Sequence, residues 1–282
     1  MGPVKDQGSC GSCWAFAATT ALEGTIAIKS GNEPVRLSEQ QIVDCTLTTN
    51  PKNEEQFGVD YGAYGCNGGW MSYAWNFISD QGAMTDAEYP YESGYSTTEG
   101  ECKHDASKTE AKVDFYGQIH SSIEDVKAKL REQPLAVAVD AGSAAFQFYK
   151  SGVVKQEDGC GTFLNHAVVL VGYTEKEDEV DPSPGPEPTP EPCNDEFKVN
   201  KWWHNEACDT KVSGRVQSKD SEGLSNYWKI QNSWGMYWGD EGFIRLEITE
   251  GEGVCGINKH IEFVNGRKTS MWIKYSALIG TN

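Results

Sequence analysis

The sequence predicts an α+β architecture in which a helical lobe and a β lobe face each other across a cleft. Three features carry that prediction: helical apolar periodicity near the start, strand-like runs after Pro134, and the segregation of the two along the chain. Over residues 13–29, Trp14, Ala18, Leu22 and Ile26 recur every fourth position with Ala17 and Ala21 beside them, and Ser30-Gly31-Asn32 supplies a stop. Such a stripe predicts a buried helix. A second helix opens in LSEQQIVDC, where Ser38 and Gln41 have capping-box spacing. A third covers residues 71–79, and a short fourth runs over 123–132 until Pro134 stops it.

The strands follow: LAVAV at 135–139, AVVLVGY at 167–173, YWKIQ at 227–231, the alternating FIRLEI at 243–248 and IEFV at 261–264. The expected lobes are therefore 1–110 (helical) and 111–282 (β), the latter with an insertion at about 174–226. Inside that insertion, DPSPGPEPTPEPC (181–193) puts proline at every second position with acids between, a composition for an extended, solvated spacer. If AVVLVGY and YWKIQ pair as an antiparallel hairpin, the start of the first meets the end of the second. His166 and Asn232 then become neighbours, and the insertion leaves from the far end, ~20 Å away at roughly 3.3 Å per residue.

Composition bounds the function. At 282 residues and 38% hydrophobic content the chain can bury a core large enough for two lobes. A net charge of −18 without any basic stripe argues against a nucleic-acid partner, which needs clustered Lys and Arg; the acid excess is read as a solubilising surface. No apolar run is long enough to span a bilayer, so no membrane partner is expected. There are nine cysteines: Cys10, Cys13, Cys45, Cys66, Cys102, Cys160, Cys193, Cys208 and Cys255. An odd number leaves one unpaired, and such usage favours an oxidising compartment. No signal-peptide-like run opens the chain, so it reads as trimmed at its front. In GSCGSCWAF (8–16), Cys10 and Cys13 suit a redox pair, half a metal site, or one structural sulfur beside one nucleophile. Cys193, His204 and Cys208 are too irregularly spaced to predict a metal site, and none is expected. His104 and His120 are read as solvated.

QGSCGSCWAF (7–16), GCNGG (65–69), NHAVVLVGY (165–173), NSWGMYWGDEGF (232–243) and GVCGI (253–257), in that order, resemble the papain family of cysteine peptidases. The resemblance implies a papain-like two-lobe fold with a β-barrel-like second lobe, and an endopeptidase needing no cofactor. Its alternatives are an exopeptidase of the same family or a non-catalytic binding protein. It implies Cys13 as nucleophile, His166 as general acid and base, Asn232 as the partner that orients the imidazole, Gln7 as oxyanion donor and Trp234 as a shield over that contact. It further implies disulfides Cys10–Cys66, Cys45–Cys102 and Cys160–Cys255, which leaves Cys193–Cys208 as the fourth pair and Cys13 free.

For the substrate, the resemblance assigns backbone pairing to Gly68 and Gly69 and a carbonyl contact to Asn165. The pocket for the second residue upstream of the cut is assigned to Trp70, Met71, Ala138 and Ala167, with His260 as its floor. A protonated His260 is then expected to admit acidic or polar side chains, unless it merely points to solvent. The resemblance also implies a propeptide that this chain does not contain, a peptide or protein substrate, a monomer, and a lysosome- or vacuole-like or extracellular location. The segment TLTTNPKNEEQFGVDYGAY (46–64), the proline-rich insertion and the tail after Val264 depart from the family pattern.

Overall fold

The computed structural model describes residues 1–48, 50–120, 122–174 and 226–269. The proline-rich stretch, His204 and the expected Cys193–Cys208 pair lie outside the described residues. Helix α1 (Cys13–Ser30) is buried on every side from Trp14 to Ile26, not along one stripe. It earns this because it is sandwiched, packing on α4 (Met71–Asp80) and α2 (Glu39–Cys45) in one direction and on the sheet in the other. Even Glu23 is buried, which Lys5 permits by binding it at 2.7 Å. Gly31 at φ +66 ends the helix in the left-handed conformation that glycine adopts without strain.

Only half of the capping box at α2 forms. The Ser38 hydroxyl accepts from Gln41 N–H at 2.9 Å, but the Gln41 side chain turns inward to Gly82 O and Met84 N. Its amide nitrogen also meets His104 Nδ1 at 2.7 Å. His104 is therefore not a solvated histidine, as expected from sequence. Its ring lies edge-on to Phe57 and Phe77, and burial lowers its pKa. His120 is exposed. Within 46–64 the chain forms an unforeseen helix, α3 (Pro51–Phe57), although its signals were present: Asn50 caps it, Pro51 starts it and Gly58 at φ +71 ends it. Three short helices complete the set among the described residues: α5 (Ser93–Ser96), α6 (Ile123–Leu130) with a full Ser122–Asp125 capping box, and α7 (Ala144–Gln147).

Among the described residues six antiparallel strands form one sheet in the order β1-β6-β2-β3-β4-β5. They are β1 (Ala111–Gln118), β2 (Leu135–Val139), β3 (His166–Tyr173), β4 (Tyr227–Gln231), β5 (Phe243–Glu247) and β6 (Ile261–Lys268). The sequence gives little sign of β1, because a bulge between Val113 and Phe115 shifts the alternation out of phase. Its pairing extends β6 to Lys268, well past the expected IEFV. Strand β2 is buried on both faces: Ala136 joins the core around α1 and α4, while Leu135, Val137 and Val139 join a second core closed by Phe146 and Trp228. Each fully buried large side chain contributes roughly 1.5–3 kcal/mol, so the strand that separates the cores is also their common anchor. Disulfides join Cys10–Cys66, Cys45–Cys102 and Cys160–Cys255.

Candidate active site

The site is built where the start of α1 meets one end of the β3/β4 hairpin. Cys13 is the first residue of α1 and the free cysteine of the described residues. Cys10 is bound to Cys66, so it cannot serve as the second thiol of a redox pair. The loop between the two sulfurs is tight: Gly11 N–H donates to Cys66 O at 2.8 Å, and a side chain at Gly11 would strike that same oxygen. Burial pushes the Cys13 thiol up from its ordinary 9.0, while the backbone N–H groups of Ala167, Trp14 and Cys13 pull it down.

Hairpin register fixes the second pair. Val169 faces Gln231 and Tyr173 faces Trp228, so the start of β3 lies beside the residue after β4. His166 Nε2 reaches Asn232 Oδ1 at 2.7 Å, with both side chains buried, at 7% and 3% exposure. The same oxygen accepts the Ser233 N–H at 2.8 Å, which identifies it as the amide's acceptor. His166 Nε2 must then carry the proton, leaving Nδ1 for the cleft. Burial lowers the His166 pKa to about 4, against the Asn232 hydrogen bond, which raises it. Trp234 lies over the imidazole at 4.8 Å between ring centres, and Phe146 meets both rings edge-on.

Gln7 is held just as firmly. Its Nε2 donates to Cys10 O at 2.9 Å and its Oε1 accepts the Ser233 hydroxyl at 2.7 Å, while its backbone N–H bonds Ser233 O at 2.9 Å. One amide N–H is left over. Sequence reasoning named Gln7 but missed Ser233, whose only signal is its place inside NSWG.

Gln7, Cys13, His166 and Trp234 line a cavity of about 450 Å³ together with Gly68, Gly69, Trp70, Met71, Ala138, Asn165 and Ala167. The two glycines are there for different reasons. Gly68 has φ +110 and open space around it, whereas a side chain at Gly69 would enter the Trp14 indole. Asn165 spends its side chain on structure, accepting from Ala141 N–H at 2.9 Å and donating to Asp140 at 3.1 Å. His260 is not among the lining residues. Its ring lies 4.5 Å from Trp70, with Nδ1 at 3.1 Å from Gln118 and Nε2 at 3.0 Å from Glu262. Glu262 was not foreseen, since a carboxylate buried on a strand gives no pattern. No helix of the described residues is long and apolar enough to cross a membrane.

A family model described as papain family cysteine protease matches residues 1–264. Vignain of Phaseolus vulgaris is 37% identical over 261 residues, 90% of this chain and 54% of its own length. Digestive cysteine proteinase 3 of Homarus americanus is 35% identical over 257 residues, 90% of this chain and 60% of its own. The chain spans about half the length of the curated relatives it matches. Bromelain of Ananas comosus, solved in complex with an inhibitor, has a TM-score of 0.66 at 31% identity, covering 94% of this chain and 93% of that one. The proform of the ragweed cysteine protease Amb a 11 also gives 0.66, at 30% identity, covering 94% and 61%.

Proposed function

The chain belongs to the papain family of cysteine proteases, and we propose that it is an endopeptidase whose Cys13 and His166 react as a thiolate–imidazolium pair. The observation that carries this reading is the fixed tautomer: Asn232 holds the proton on Nε2 and leaves Nδ1 toward the cavity shared with Cys13. Taken singly, each partner prefers its neutral form. Moving a proton from a thiol at or above 9.0 to an imidazole at about 4 costs at least about 7 kcal/mol before the two charges interact. Attraction between the two charges across the cavity that both residues line opposes that cost. The start of α1 adds up to ~2 kcal/mol for the anion.

Cys13 Sγ then attacks the scissile carbonyl carbon, and the carbonyl electrons move onto oxygen. The free N–H of Gln7 and the N–H of Cys13 hold that oxyanion. As the C–N bond breaks, His166 Nδ1 gives its proton to the departing amine, and a thioester remains. Neutral Nδ1 next takes a proton from water, which displaces Cys13 as thiolate. Gly68 and Gly69 offer backbone to an extended peptide, the Asn165 carbonyl adds a contact, and Trp70, Met71, Ala138 and Ala167 receive an apolar side chain, with His260 behind Trp70.

Endopeptidase action is favoured because the described lining contains no Asp, Glu, Lys or Arg to hold a chain terminus. The Amb a 11 proform supports a propeptide-held precursor here, and three disulfides support a vacuolar or extracellular setting for a monomer of two lobes, 1–110 and 111–282. An epoxide thiol inhibitor should label Cys13 at one equivalent and abolish cleavage of a fluorogenic peptide. Labelling without any peptidase activity in the unlabelled protein defeats the proposal.

A further inference from the structure

We propose that Asp6 is a specificity-determining residue that selects basic side chains two to three residues beyond the scissile bond. The inference rests on the endopeptidase reading, in which the departing amine takes its proton from His166 and so leaves past Trp234, the indole over that imidazole. Asp6 is paired with Trp234 in an isolated antiparallel bridge. The flanking residues make its bonds: Gln7 N–H donates to Ser233 O at 2.9 Å, and Gly235 N–H to Lys5 O at 3.0 Å. Asp6 and Trp234 are thus a non-hydrogen-bonded pair, whose side chains share one face with Cβ atoms ~5 Å apart. Lys5 and Gln7 turn inward and are buried, which leaves Asp6 pointing outward and exposed. Its Oδ1 accepts the Gly8 N–H at 2.9 Å, while Oδ2 lies beside Gly235, where an added Cβ would meet it at 3.0 Å. No cation of the described residues is bound to it. The adjacent lysine is committed elsewhere, since Lys5 binds Glu23 and Glu39. Asp6 stands outside the cavity, whose lining holds no Asp, Glu, Lys or Arg, so a chain advancing roughly 3.3 Å per residue meets this charge only after the first downstream residue. A lone carboxylate at that rim attracts Lys or Arg and repels Asp or Glu.

Three internally quenched peptides, identical except for Lys, Gln or Glu at both the second and third residues after the cut, test this. In the wild type kcat/KM should fall in the order Lys, Gln, Glu. The Lys-to-Glu ratio should be roughly 3- to 10-fold at low salt, and it should shrink in about 0.5 M NaCl. Asp6→Asn keeps an oxygen for the Gly8 N–H and should remove most of the ratio, whereas Asp6→Lys should invert it. The ratio is internal to each variant, so a change in overall rate does not disguise it, and a merely structural Asp6 would alter all three peptides alike. A wild-type ratio near 1, or one that persists in Asp6→Asn because the net charge of −18 produces it, overturns the proposal while the endopeptidase reading stands. A wild type that cuts none of the three removes both.

Discussion

The Ser233 hydroxyl donates to Gln7 Oε1 at 2.7 Å, and the Ser233 N–H donates to Asn232 Oδ1 at 2.8 Å, so one residue sets the amide orientation on both sides of the cleft. Without the hydroxyl, nothing but the Cys10 carbonyl distinguishes the two ends of the Gln7 amide. Ser233→Ala should lower kcat for an amide substrate by about 5-fold, the worth of one neutral hydrogen bond, with KM little changed. Gln7→Ala should cost roughly 100- to 1,000-fold. Equal losses in the two variants would mean that Ser233 does more than orient the amide.

The imidazole supplies a direct test of the ion pair. Burial holds His166 near 4 when no thiolate faces it, so in Cys13→Ser the ring should titrate near that value by NMR. In the wild type an ion pair requires the facing charge to raise it by roughly five units or more, the offset between the two groups. Identical titrations in the two proteins would show that the resting enzyme holds a neutral thiol and a neutral imidazole.

How much of this was legible in the sequence follows from range. Cys13 was legible because helix start and motif coincide, and the nearness of His166 and Asn232 because two adjacent strands can be paired by hand. Ser233 to Gln7 and Lys5 to Glu23 were not, since each joins segments with no common period. Strand β1 was hidden by its bulge, and α1 looked one-sided because its buried polar residues Thr19 and Glu23 are bound from elsewhere in the fold, by Glu39 and Lys5.

The insertion leaves the hairpin at its other end. Thr174 N–H bonds Tyr227 O at 2.9 Å, closing the hairpin there, eight strand residues from His166. Replacing residues 175–225 with a short turn should leave kcat/KM for a small peptide within about 2-fold, because loop length changes closure entropy only logarithmically. Loss of hydrolysis in a folded deletion variant would tie the insertion to the cleft.

Lys5 sits between two buried carboxylates, bonding Glu23 at 2.7 Å and also Glu39. Burial raises the Glu23 pKa to about 7, Lys5 opposes the rise and Glu39 adds to it. The folded state therefore keeps a proton that the unfolded chain releases above its ordinary 4.5, and stability falls as pH rises from there to about 7. The difference between wild type and Glu23→Gln isolates the carboxylate: relative to the variant, wild-type Tm should decline steadily from pH 4.5 to 7. A constant difference across that range would place the proton elsewhere.

Specificity at the apolar pocket turns on His260. A positive charge there was expected to attract acidic side chains, but Glu262, buried beside it at 3.0 Å, neutralises any such charge, and the cavity is lined by Trp70, 4.5 Å from the ring, and not by His260. Profiling a peptide library at pH 5 and pH 7.5 should give the wild type a hydrophobic preference at both. Glu262→Gln removes the counter-charge while keeping the shape, so this variant should gain activity on acidic side chains at pH 5 relative to the wild type. His260→Ala in the same background should erase that gain. Acid preference already present in the wild type at pH 5 would mean that the imidazole reaches the substrate past Trp70, and that Glu262 does not hold its charge.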